Sequence, residues 1–127
     1  MPLVVINHVR AKAVKTGWHR HVAERAAQLG KEMPRIVAKA LNTPENPDGK
    51  LTSYDIEVWH RKGGYSDVCG DNVDLEIIIW ANDFPERRAT LEYRQKNITE
   101  EISRVLLGGD IRGSVWVLLA PGSFGTF

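Results

Sequence analysis

Apolar positions along the chain follow two periods in alternation. Leu3–Val9 is almost wholly apolar and rich in β-branched residues, which predicts a central strand buried on both faces. After the polar stretch Arg10–Thr16, apolar residues recur at Val22, Ala26, Leu29, Met33, Ile36, Val37, Ala40 and Leu41. Steps of three and four predict a long amphipathic helix. Pro34 lies inside it and predicts a kink or a break. The run Asn42–Gly49, with two prolines, ends the helix.

Thr52–Arg61 alternates, with Tyr54, Ile56 and Val58 on one face and Asp55, Glu57 and Trp59 on the other, as in a half-buried strand. Lys62–Asn72 is a glycine-containing loop, and Val73–Ala81 reads as the next strand. Asn82–Pro85 turns into a second helix over Glu86–Leu107, with Leu91, Ile98, Ile102, Val105 and Leu106 on one side. Gly108-Gly109 stops it. Ser114–Leu119 is the last strand, and residues 121–127 form a tail.

The element order is β-α-β twice, over about residues 1–61 and 73–120, within one domain. A crossover within one sheet makes the strands it joins parallel. The fold expected is therefore an α/β (α+β) two-layer sandwich: a four-stranded sheet with two helices on one face. Trp59, Ile78, Trp80, Trp116 and Leu118 cannot all point at the helices. Some apolar side chains stay uncovered on the other face, and self-association is the simplest way to cover them.

Composition narrows the classes. At 127 residues the chain can bury one core without a staple. Its lone cysteine, Cys69, excludes an internal disulfide and fits a reducing cytoplasm. The apolar runs are too short to span a bilayer, and no basic-then-apolar leader is visible. The net charge of +1, from 17 basic and 16 acidic residues, argues against a nucleic-acid surface, which gains from a clear basic excess. His8, His19, His21 and His60 show no recognised ligand spacing, so no metal is expected.

The start Met1-Pro2-Leu3-Val4-Val5-Ile6, the segment Ile79–Arg88 and the tail Ser123-Phe124-Gly125 carry a resemblance. With the duplicated β-α-β layout, they resemble the tautomerase superfamily, in its single-chain duplicated form. The middle segment and tail look closest to malonate semialdehyde decarboxylase and its isomerase relatives. The resemblance implies a cofactor-free enzyme, usually a homotrimer, acting on a small anionic carbonyl substrate.

It also implies roles for particular residues. Removal of Met1 would make Pro2 a secondary amine at the chain terminus. An ordinary α-amino group titrates near pH 8, roughly, and burial or nearby cations lower that value. A base neutral near pH 7 can take a proton from beside a carbonyl and return it elsewhere. Arg87 or Arg88 would clamp the substrate carboxylate and stabilise the enolate. Consecutive helix residues point about 100° apart, so one of the two is expected to face the pocket. Phe124 would wall the pocket, and Lys12 lies where short family members carry a binding arginine. The acidic residue that decarboxylase-like members use to activate water has no match, since Thr52 occupies the nearest position. This favours proton transfer over water addition.

Overall fold

The computed structural model describes residues 2–8, 18–62, 73–107 and 110–121. Lys12, Cys69, Phe124 and the Gly108-Gly109 pair lie outside these. Four strands, β1 (Leu3–His8), β2 (Glu57–Lys62), β3 (Leu75–Asn82) and β4 (Gly113–Ala120), form one sheet in the order β2-β1-β3-β4. β1 runs parallel to β2 and β3 parallel to β4, while β1 and β3 pair antiparallel. Each β-α-β unit thus supplies two neighbouring parallel strands, as the crossover rule predicts, and the units join antiparallel through their first strands.

The helices are α1 (Trp18–Leu41), α2 (Pro85–Ala89) and α3 (Leu91–Val105). Val22, Ala26, Leu29, Met33, Ile36, Val37 and Leu41 of α1 are all buried, as their spacing requires. They share one core with Val4 and Ile6 of β1, Leu75, Ile77, Ile79 and Ala81 of β3, and Ile98 and Ile102 of α3. No helix among the described residues is long and apolar enough to cross a membrane.

Four expectations change. Helix α1 runs unbroken through Pro34, so the chain does not break there. β1 is wholly buried on one face only: Val4 and Ile6 are inaccessible, whereas Leu3 and Val5 are half-buried on the face without helices. The alternating segment from Thr52 is not all strand. The Thr52 backbone N–H and hydroxyl both donate to Asp55 Oδ2, at 2.7 and 3.1 Å, closing a 3-10 turn over Ser53–Asp55. Tyr54 is therefore 95% exposed rather than on the core face of a strand.

The second helix is divided at Thr90, whose backbone (φ −121°, ψ 25°) leaves the helical region. The Thr90 hydroxyl donates to Glu86 O at 3.0 Å and accepts from Arg94 Nε at 2.8 Å. A threonine side chain competing with the backbone in this way breaks helical continuity.

Among the described residues, no element covers the face opposite the helices. Leu3, Val5, Trp59, Ile78, Trp80, Trp116 and Leu118 lie side by side across it. Val5 faces both Trp59 and Ile78, Ile78 faces Trp116, and Trp80 lies between Leu3 and Leu118. Trp59, Trp80 and Trp116 are 55, 44 and 56% exposed.

Candidate active site

The antiparallel pairing of β1 with β3 decides which residues meet. Leu3 lies opposite Glu57 on one side and Trp80 on the other. Pro2, one residue earlier, is buried, and its carbonyl accepts from the Glu57 N–H at 3.2 Å. At this same end β3 finishes at Asn82 beside Ala120, the last residue of β4, and the Asp83 N–H donates to Ala120 O at 3.2 Å. The chain then enters α2 through extended Phe84, with Pro85 at the first helical position, where its missing N–H costs nothing. Pro2, the head of α2 and the root of the C-terminal tail therefore share one edge of the molecule.

Arg87 and Arg88 part company there. Arg87 is 1% exposed. Its Nε donates to Leu41 O at 2.9 Å and its Nη1 to Asn82 O at 3.1 Å, while its guanidinium lies 4.7 Å from the Phe84 ring centroid. Burial, and after it Arg94, lowers its pKa, but a guanidinium stays charged. Arg88 has a 64% exposed side chain, with Nε 3.0 Å from Asp83 Oδ1. Leu41 O lies at the C-terminus of α1, where carbonyls lack helical partners and the macrodipole favours cations. Arg94 serves the same end, donating from Nη1 to Ala40 O and Asn42 O at 3.1 and 2.9 Å.

One further group at the head of α2 escaped the sequence reading. Glu86 Oε2 is buried and has no hydrogen-bond partner among the described residues. No spacing signal marks it, because its burial depends on how the strand-to-helix turn packs. Asp55, by contrast, is engaged in the 3-10 turn before β2. A groove of about 600 Å³ lies between α1 and α3, lined by Arg35, Lys39, Tyr93 and Arg94 among others, and it includes neither Pro2 nor Arg88.

No family model and no curated protein matches the chain. Solved structures do. One, described as a fused 4-OT wild-type asymmetric trimer, aligns at a TM-score of 0.59 with 15% identity, over 98% of this chain and 91% of that one. A macrophage migration inhibitory factor-like protein from Entamoeba histolytica aligns at 0.55 with 12% identity, over 99% and 95%. A member of the cis-3-chloroacrylic acid dehalogenase family aligns at 0.53 with 13% identity, over 94% and 76%.

The chain has the tautomerase fold. The match covers nearly its whole described length, so both β-α-β units belong to the tautomerase fold rather than one unit and an appendage.

Proposed function

We propose that the chain is a cofactor-independent keto–enol tautomerase or isomerase of a small carboxylated carbonyl compound. Pro2 is the acid/base and Arg88 the carboxylate clamp. The observation that carries this reading is the β1–β3 register, which brings Pro2 and the head of α2 to one edge. The reading requires removal of Met1, because the Pro2 nitrogen has no basic lone pair while acylated. Arg88 takes the clamp because its guanidinium faces solvent, whereas two donors of Arg87 already serve backbone carbonyls. Arg87 is then a positioning residue that fixes the strand-to-helix turn.

Arg88→Ala is expected to raise KM for phenylpyruvate about 10–100-fold. This corresponds to about 1.5–3 kcal/mol for a lost charge-assisted hydrogen bond. An unchanged KM would remove Arg88 from the site.

The pocket is completed by other segments. On this reading Phe124, in the tail that follows Ala120, is the wall of the Pro2 pocket. Lys12 follows β1, which ends at His8, about 20 Å from Pro2 at the usual rise per residue. In this reading Lys12 serves the Pro2 of a second copy. Self-association as a homotrimer covers the open sheet face, and the fused 4-OT structure of similar fold is described as a trimer. Trp116→Glu, which places a charge in the apolar band, is expected to reduce the light-scattering mass to one third. A wild-type chain already monomeric at micromolar concentration would refute the trimer.

Glu86 supports a second reading, a decarboxylase or dehalogenase that adds water. Such chemistry needs a carboxylate to hold and activate a water, and Oε2 is a buried acceptor without a partner among the described residues. On this reading chloride is released from cis-3-chloroacrylate, and Glu86→Gln abolishes the release while phenylpyruvate tautomerisation persists.

A further inference from the structure

The sheet edge remote from Pro2 carries a histidine pair that the proposed chemistry does not use. In the parallel pairing of β1 with β2, Ile6 lies opposite His60 and His8 opposite Lys62. His8 and His60 are therefore diagonal neighbours on one face of two hydrogen-bonded strands. Nε2 of His8 is 3.2 Å from Nδ1 of His60, with ring centroids 5.5 Å apart and planes inclined at 55°.

The other side of the His60 ring rests against α1 at Gly30. A Cβ there would lie 2.5 Å from His60 Nε2 and 2.9 Å from Cε1. Glycine inside a helix costs about 1 kcal/mol relative to alanine. The chain carries that glycine where the ring needs the space.

We propose that His8 Nε2 and His60 Nδ1 form a two-histidine chelate for a divalent transition-metal ion such as Zn²⁺, Ni²⁺ or Cu²⁺. Two imidazole nitrogens about 2.05 Å from one ion stand about 2.9 Å apart at a right angle and about 3.3 Å apart at the tetrahedral angle. The observed 3.2 Å falls between these limits, while the 5.5 Å centroid separation leaves the two nitrogens facing each other, so both rings turn toward the ion on binding. Neutral imidazole suits these ions, and adjacent strands hold the donors more rigidly than loops would. Without metal, the same spacing accommodates an N–H shared between the rings. On binding, that proton moves to the far nitrogen of its own ring, and both facing nitrogens present lone pairs. The proton count does not change. Among the described residues no cluster of three or more histidine, cysteine or carboxylate ligands forms, so water or an added ligand fills the remaining positions.

The test titrates Cu²⁺ and Zn²⁺ into the full chain at pH 7.5, by calorimetry and, for Cu²⁺, by electron paramagnetic resonance. Wild type is expected to bind one ion per chain, with a spectrum showing two coordinated imidazole nitrogens. His8→Ala and His60→Ala are each expected to lose one nitrogen and at least tenfold in affinity. Gly30→Ala keeps both histidines but displaces the His60 ring. It is expected to weaken binding severalfold while its melting temperature in EDTA holds or rises. No stoichiometric ion on wild type, or affinity within twofold of wild type in both histidine variants, overturns the proposal.

Discussion

Arg87→Met is expected to lower the unfolding free energy by about 2–4 kcal/mol, read as a shift of the urea midpoint. The side chain is 1% exposed, and it donates to Leu41 O and Asn82 O. Methionine fills much of the volume but donates nothing. Each buried carbonyl left short of a partner costs about 1–3 kcal/mol. Leu41 O keeps one donor, the Thr43 hydroxyl at 2.9 Å, so the larger share falls on Asn82 O. Against the roughly 5–15 kcal/mol that holds a small domain together, this is a large fraction. Arg87→Lys should recover only part of the loss, because one ammonium cannot reproduce the planar fork that spans the end of α1 and the end of β3. A loss below about 1 kcal/mol for Arg87→Met would show that these contacts contribute little, and would return Arg87 to the list of substrate ligands.

That expectation also marks where the sequence stops being legible. Apolar period alone located all four strands and the two helical regions, because burial on one face imposes the same spacing wherever a strand or helix packs. The breaks come from single polar side chains. Thr90 divides the second helix through its hydroxyl, and Asp55 turns the start of an apparent strand into a 3-10 turn. Neither bond changes the apolar pattern. The Arg87-Arg88 dipeptide raises the same difficulty. Its position after the third strand is evident, but which guanidinium is buried depends on the C-terminus of α1, 46 residues earlier in the chain.

The two histidines are a further case. His8 and His60 are 52 residues apart, and only the parallel β1–β2 register makes them neighbours. A search by spacing along the chain cannot see such a pair. The same register, extended through β1–β3, gives Pro2 its surroundings.

Pro2→Ala is expected to lower kcat for phenylpyruvate tautomerisation by about 10²–10⁴-fold, the usual contribution of a positioned general acid/base. The substitution replaces a secondary amine on a rigid ring by a primary amine free to rotate. The backbone carbonyl that accepts from the Glu57 N–H is retained, so the strand start should keep its pairing. The loss should therefore appear in kcat with little change in KM or melting temperature, the opposite of the split expected for Arg88→Ala. The acid limb of the kcat/KM profile should follow protonation of the residue-2 amine, because only its neutral form can take the substrate proton. Intact mass completes the test, because the reactive species must lack Met1. A variant that keeps more than a third of wild-type kcat would remove Pro2 from the mechanism, as would full activity in a chain that retains Met1.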